Sequence, residues 1–529
     1  MSRLLGQKIS SDLSYEIADV FRFQFVLSPE ELDLAEFKFL KVASRHLYYS
    51  PLLHTCELQD RSGAVIGVLL GQAFGPEGAH LKDVATVDVG EKPAYAIKAF
   101  QAFVASLAGR FVAIFNVPSR RTNTHVYIDT ASSFSTVYDK KSGIVASSLL
   151  LCLNRDIDPN EHYRIPSALS QFANLAPYIP EQNPELSDAG FFFGQTPDKY
   201  VMRIMPNHYL DLSKMETARF WPNDSIEHDL TYQQAAEKLV PRIGQIMVGI
   251  YSNLEGYFSI SGGRDSRILL ACMPPVESNK MQMHCYATNW MTTLDVKVAQ
   301  VMADAAKSDL LVQMPNGDPK GTYFPRKRRS LFTAQRFSIS SGFTGVCDDW
   351  WRRGYAKNLA PDVAWLRGNF LEILTARFWP KRNFDVDKQV LHLLGRIGAS
   401  KDDKTHLKQN LDFVEDWFGS FKKSIARSMH DFSYQELALG ASQPFFHGVN
   451  QQFYIGPASD RTIFQTAMRV SPKDRMNAAL YDEMLRISDA RLLDLPLAKG
   501  AVFRAKKAKA NPEELLEREL AEYTQKHPS

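Results

Sequence analysis

The run Tyr257-Phe258-Ser259-Ile260-Ser261-Gly262-Gly263-Arg264-Asp265-Ser266-Arg267-Ile268-Leu269-Leu270 gathers the residue types that handle a phosphate. An apolar strand leads into a Ser-Gly-Gly turn, and Asp-Ser then opens an apolar helix. A turn of this kind aims backbone N–H groups and a positive helix terminus at one point, where an anion of phosphate type is stabilised. Gly262 and Gly263 take Cβ atoms out of the path of an approaching ligand. Ser261 and Ser266 add hydroxyl donors, and Asp265 is placed to hold a magnesium ion against the phosphates. A Walker loop requires Gly-Lys-Ser/Thr, which this turn lacks. The competing reading is a surface turn that is merely rich in serine and glycine.

Other residues offer chemistry with less context. Glu372 lies on a largely apolar helical stretch and either orients an acceptor or acts as a base; pairing with Arg367 or Arg377 explains it as well. By the family resemblance that the Ser-Gly-Gly turn and later segments carry, the strand end Tyr286-Ala287-Thr288-Asn289 would lie along an adenine edge, reading it by main chain more than by side chain. His284 and His447 sit alone in apolar surroundings, which points to satisfied core residues. Trp350, Trp351, Trp365 and Trp379 either line an acceptor pocket or pack in the core.

The elements that must position these groups belong to a chain of 529 residues, long enough for two or three domains. A hydrophobic share of 45% and a charged share of 23% are ordinary for a globular protein. The net charge of +3 is too small at this length to argue for nucleic acid, despite the cluster Arg326-Lys327-Arg328-Arg329. Five cysteines (Cys56, Cys152, Cys272, Cys285, Cys347) are an odd number with no C-x-x-C pair. That argues against a disulfide framework or a zinc site and fits a reducing cytosol. The opening thirty residues show no apolar signal region, and no run reaches the length of a membrane span, so a cytoplasmic protein is expected.

Alternation and short apolar runs predict a β-rich first part, with strands at Phe21–Leu27, Thr55–Leu58, Val65–Leu70, Gly109–Phe115, His125–Asp129, Ser133–Tyr138 and Gly143–Ser148. From about Thr231, long helical segments such as Tyr232–Tyr251 and Leu294–Ala306 alternate with short strands, which suggests a parallel sheet covered by helices. The boundary falls between Trp221 and Leu230. The residues from Ala505 onward are charged and helix-prone and read as a solvated tail helix.

Ser-Gly-Gly-x-Asp-Ser resembles the signature of the PP-loop ATP pyrophosphatases, which cleave ATP between its α and β phosphates. The whole chain resembles the asparagine synthetase family, including β-lactam synthetases and lasso-peptide macrolactam synthetases. Gly109-Arg110-Phe111, Tyr127-Ile128-Asp129, Val137-Tyr138 and Ala146-Ser147-Ser148 follow that family's progression in its class II glutamine-amidotransferase half. Asp295 with Ala299 and Ala303 is similar to its helix beside the nucleotide, where Asp295 either braces the pocket or caps the helix. Gly345-Val346-Cys347-Asp348-Asp349 through Arg353-Gly354-Tyr355 is similar to its second motif, which implies Asp348 as the second magnesium ligand with Asp349 behind it, unless the pair merely starts a helix or stays solvated. Pro457-Ala458-Ser459-Asp460-Arg461 and the Arg475 to Pro496 stretch are similar to its later segments. Lys499 sits where the family places a late catalytic lysine, although a solvated terminal lysine explains it too.

The resemblance implies an α/β protein in three parts. Residues 1–225 form an Ntn-type αββα sandwich-like, amidotransferase-like domain, and residues 226–505 a doubly wound parallel-sheet PP-loop domain of the adenine nucleotide α-hydrolase-like kind, with helical additions. A charged tail helix at residues 506–529 follows. A working class II glutaminase needs a cysteine at the N-terminus, whereas this chain begins Met1-Ser2-Arg3, so the first domain is expected to be glutaminase-inactive. The second motif is altered as well: its acidic spacing is one residue longer, and Arg353 replaces a glycine. The activity implied is an ATP- and magnesium-dependent ligase that adenylates a carboxylate and passes it to ammonia or an amine. The substrate would be a small molecule, peptide or sugar carboxylate, with no nucleic acid and no membrane as partner; a homodimer is compatible. Arg267, where asparagine synthetases have a small residue, argues against asparagine as product. The alternative is a catalytically inactive relative that serves as a binding or scaffold subunit.

Overall fold

The computed structural model describes residues 3–90, 92–118, 123–164, 178–186, 191–274, 280–287, 289–313, 334–341, 359–381, 386–397, 404–421, 428–443 and 451–527. Asp348, Asp349, Trp350, Trp351, Cys347, Thr288 and His447 lie outside them, as does the whole second-motif segment from Gly345 to Tyr355. No described helix is long and apolar enough to cross a membrane.

The first part runs through β1 (Phe25–Ser28), β2 (Lys38–Val42), β3 (Arg45–Tyr49), β4 (Thr55–Gln59), β5 (Val65–Phe74), β6 (Val84–Thr86), β7 (Ala108–Val117), β8 (Asn123–Ile128), β9 (Val137–Asp139), β10 (Val145–Ala146), β11 (Val201–Arg203), β12 (His208–Asp211) and β13 (Glu216–Arg219). These form a six-stranded sheet of order β11-β9-β10-β1-β3-β2 and a seven-stranded sheet of order β13-β12-β8-β7-β5-β4-β6. Pairing is antiparallel throughout, apart from β4 with β6. Alternation decides how the sheets stack. Phe25, Leu27 and Leu47 of the first sheet meet Val68, Leu70, Val112, Ile114, Val126 and Ile128 of the second. On the outer face of the first sheet lie α1 (Leu5–Asp12), α2 (Ile17–Val20) and α4 (Leu149–Cys152), burying Leu5, Ile9, Val20 and Leu150 with Val26 and Val137. The outer face of the second sheet, through Leu69, Phe111, Ala113 and Phe115, packs on α3 (Pro93–Ser106) and α5 (Tyr232–Asn253).

Three expected strands are shorter than their apolar runs. β1 starts only at Phe25, because Arg22 pairs with Asp19 and Asp362 and Phe23 turns at φ +56°. β9 starts only at Val137: the Asp129 carboxylate accepts the amides of Ala131, Ser133 and Phe134 at 3.0, 2.9 and 2.7 Å and curls Ser133–Thr136 into a loop. Gly143–Ser148 likewise yields only β10.

The second part is built on β14 (Gly256–Ser259), β15 (Met281–Tyr286), β16 (Leu310–Gln313), β17 (Ala364–Arg367) and β18 (Phe453–Ile455). They form a five-stranded, all-parallel sheet of order β16-β15-β14-β17-β18, with α6 (Asp265–Cys272) and α7 (Trp290–Ala305) among its connections. In chain order this reads 3-2-1-4-5, so successive connections leave β14 and β17 toward opposite edges. The crevice at their carboxyl ends is where open parallel sheets bind ligands.

Helices Ala479–Asp494, Ala498–Ala508 and Pro512–Lys526 close the chain. The last of these is charged, as expected, but it is not solvated on all sides. Leu516, Leu520 and Tyr523 bury one face, while Lys297 pairs with Glu513 and Glu517, and Arg504 with Glu519.

Candidate nucleotide site

Ser261-Gly262-Gly263 is the connection from β14 to α6, at the crevice between β14 and β17. The Ser266 hydroxyl accepts the Ser261 amide at 3.0 Å and donates to the Ser261 carbonyl at 3.3 Å, and the Ser261 hydroxyl accepts the Gly263 amide at 3.3 Å. The Ser266 hydroxyl therefore shapes the loop instead of reaching outward, while that of Ser261 serves the loop as an acceptor. Arg264, the N-cap residue of α6, makes no side-chain capping bond, and among the described residues that pole remains available to an anion.

The glycines act through close approach. A Cβ on Gly262 would lie 2.7 Å from Ala498 Cβ and 2.8 Å from Asp295 Oδ1, whereas one on Gly263 meets only Ser261 Oγ, at 3.3 Å. Gly368, directly after β17, brings that strand's exit loop against α6: a Cβ there would lie 2.9 Å from both Asp265 C and Ser266 N. The loops from β14 and β17 thus share one wall.

Asp265, Glu372, Lys499 and Asp295 converge on this wall. Burial and the Glu372 charge push the Asp265 carboxyl up from 3.8 to about 7, against a hydrogen bond from Tyr481 and the charges of Arg377 and Lys499. The Tyr481 hydroxyl donates to Asp265 Oδ1 at 3.2 Å. Glu372 stands on a 3-10 turn, Leu371–Thr375, between the left-handed residues Phe370 and Ala376. Its Oε2 accepts the Tyr434 hydroxyl at 2.7 Å, and its Oε1 lies 3.5 Å from the Arg377 guanidinium. Arg367 is not its partner; it donates to the Tyr286 hydroxyl at 3.4 Å. Burial raises the Asp295 carboxyl, opposed by Lys499 and by the Gly262 amide. Asp295 therefore braces the loop, and Asn289 caps α7 instead, accepting the amides of Met291 and Thr292. Lys499 lies in the first turn of the Ala498–Ala508 helix, whose Ala498 amide donates to the Gly262 carbonyl at 3.3 Å. Ala287 is buried at the end of β15 and donates its amide to the Gln313 carbonyl at 3.0 Å.

Several expected side chains are structural. His284 spans three strands, with Nδ1 3.3 Å from Ser259 Oγ and Nε2 3.0 Å from Gln313 Oε1, and burial depresses it to about 4. Trp365 is fully buried and donates to Ser259 Oγ at 2.8 Å. Arg267 is buried and bonded to main-chain carbonyls of the Leu492–Pro496 stretch. In the first part, Arg110 is buried between the Phe134 and Phe453 rings and donates to the Tyr454 carbonyl at 3.4 Å. Burial pushes the described cysteines up: Cys56 to about 11, Cys272 and Cys285 to about 12, and Cys152 well above its ordinary value. None of these four is a ready thiolate.

Gly368, Tyr481 and Tyr434 escaped the sequence reading. Gly368 carried a signal, since it follows a second apolar run, Ala364-Trp365-Leu366, as Gly262 follows the first. The tyrosines reach the site from helices 216 and 62 residues away from the carboxylates they meet, and nothing local marks them. Among the described residues, no group of three or more His, Cys, Asp or Glu side chains is arranged to hold a metal. No protein-family model matches the chain, and no curated protein matches it. The fold and site define an α/β protein whose parallel sheet carries the Ser261-Gly262-Gly263 loop at its switch point.

Proposed function

We propose that the chain is an ATP- and magnesium-dependent ligase that adenylates a carboxylate and transfers the acyl group to ammonia or an amine. The observation that carries this reading is the Ser261-Gly262-Gly263 turn and uncapped α6 terminus at the β14–β17 crevice, fronted by Asp265 and Lys499. The finer architecture is read in the same way: an Ntn-type αββα domain before a PP-loop domain, as in the asparagine synthetase family.

In this reaction a carboxylate oxygen of the substrate attacks the α-phosphorus of ATP, and the bond to pyrophosphate breaks. The amine nitrogen then attacks the acyl carbon, AMP leaves, and the nitrogen loses a proton to a base, for which Glu372 is the candidate. Loop amides and Ser261 would receive the pyrophosphate end, and Lys499 its charge. A magnesium ion, when bound, screens the phosphate oxygens. Asp265 is the described side chain that would hold it, with Asp348 as the second. Asp265 fits a hard cation: its carboxyl is recessed beside Glu372, and a positive charge relieves the cost of ionising it. With no ready thiolate among the four described cysteines, nitrogen is expected as free ammonia or an amine.

Calorimetric titration of Mg-α,β-methylene-ATP into wild type and Asp265→Ala tests the reading. Micromolar, magnesium-dependent binding that the substitution abolishes is the expected result. Absence of binding by folded wild type would overturn the ligase and favour a scaffold role.

A further inference from the structure

Arg267 occupies the position after the Asp-Ser pair, and the ligase reading gives it no role. It is 2% exposed, and both its Nη atoms bond one feature. Nη1 donates to the carbonyls of Leu492 at 3.1 Å and Leu495 at 2.5 Å, and Nη2 to that of Pro496 at 3.0 Å. These carbonyls belong to the end of the Ala479–Asp494 helix and the Leu-Pro turn after it, a negative pole that a cation complements. A guanidinium that grips three main-chain acceptors within five residues fixes direction as well as distance.

The gripped turn leads at once to the nucleotide loop. Two residues beyond Pro496, the Ala498 amide donates to the Gly262 carbonyl, and Ala498 fills the space that a Cβ on Gly262 would occupy. Lys499 follows, and its charge reaches both Asp265 and Asp295. The same helix that ends at Arg267 carries Tyr481, the donor to Asp265. Arg267 therefore ties the body of α6 to the segment that places a cation over the N-terminus of α6.

We propose that Arg267 is a positioning residue, setting Lys499 over the phosphate-receiving loop through its bonds to the Leu492, Leu495 and Pro496 carbonyls. The inference rests on the ligase reading, which supplies the phosphates that Lys499 faces. A neutral side chain at 267 leaves three carbonyls without their donor and frees the turn. Lys499 then contributes less to binding, although its own side chain is unchanged.

A double-mutant cycle reads this directly. Affinity for Mg-α,β-methylene-ATP is measured by calorimetry for wild type, Arg267→Met, Lys499→Met and the double variant, each shown to be folded by far-ultraviolet dichroism. Arg267→Lys, which keeps a donor cation, is the second variant should methionine prevent folding. Lys499→Met and Arg267→Met are each expected to weaken binding about tenfold, the double variant also about tenfold instead of a hundredfold, and Arg267→Lys to recover most of the loss. Hydrogen exchange at the Ala498 amide should quicken in Arg267→Met alone among the single variants. Independent, multiplying losses, or exchange at Ala498 unchanged by Arg267→Met, would overturn the positioning role while leaving the ligase reading intact. Wild type that does not bind the nucleotide overturns the ligase reading, and this role with it.

Discussion

Asp265 carries a folded-state carboxyl value of about 7 against 3.8 for an ordinary aspartate, because burial and Glu372 both oppose ionisation. Between those two values the folded chain holds a proton that the unfolded chain has released. Stability from this group is therefore complete below about 3.8 and is lost as pH rises through about 7. Asp265→Asn removes the charge and should stabilise the ligand-free protein by about 1–2 kcal/mol at pH 8 while changing little at pH 4. Thermal melts of both proteins across that range check the sign; a variant equally or less stable at pH 8 would show that the carboxyl ionises without penalty. The residue that costs stability in the free protein is also the one a bound cation would favour, a trade found where function needs charge in a recessed place.

Glu372 depends on how its turn is held. Arg475, fully buried in the short helix Pro472–Met476, donates to the Ile373 carbonyl of that turn at 3.0 Å and makes two bonds to Asp431, at 2.9 and 2.8 Å. Asp431 lies in the first turn of the helical segment that begins at Met429, continues through Ser433–Leu439 and carries Tyr434, the donor to Glu372. One guanidinium thus aligns the acceptor turn with its tyrosine. Arg475→Met should cost about 3–5 kcal/mol, because it strands a buried carboxylate, and adding Asp431→Asn should restore part of the loss. Urea midpoints of the three proteins check this; an additive double variant would deny the pairing. None of this alignment was legible in the sequence, since Arg475, Asp431 and Ile373 meet across more than forty residues of chain. The Ser-Gly-Gly turn was legible because a strand, a turn and a helix start are written in one contiguous run. The strand at Ser133 was misread for the opposite reason: a single carboxylate, Asp129, competes for the amides that a strand would have used. The docking of the last helix left a signal, Leu516, Leu520 and Tyr523 at helical spacing, beneath a charge pattern that pointed to solvent.

One continuous apolar core joins Phe74, Phe111 and Phe115 of the second sheet to Ile246 of α5, Phe258 of β14 and Ile268 of α6. Polar groups pin the same boundary. Arg242 of α5 bonds the Gly75 and Ser106 carbonyls and pairs with Asp460 at 2.5 Å, and Gln435 donates to the Thr130 carbonyl at 2.9 Å. Glu436 is the centre of that network: fully buried at its carboxylate, it accepts Arg219 Nη1 and Nη2 at 2.5 and 2.8 Å, Asn207 at 2.8 Å and Trp417 Nε1 at 2.8 Å. Burial acts to raise its carboxyl, but Arg219 above all brings it below the usual 4.5. A depressed value means that its stabilisation is present above about 4.5 and is lost as pH falls through the folded-state value. Glu436→Gln keeps the shape and leaves Arg219 buried without its charge, so a loss of about 3 kcal/mol is expected at pH 7, shrinking toward acid as wild type loses the same pairing. Because the core crosses the boundary, the loss should lower one shared unfolding transition and not split it. Trp221 reports beside the second sheet and Trp365 inside the parallel sheet, so variants retaining one or the other can be followed separately by fluorescence in urea. Coincident midpoints that move together in Glu436→Gln would establish the two parts as one cooperative unit. Separation of the two signals would mean that the parallel sheet holds its crevice without the two stacked sheets behind it.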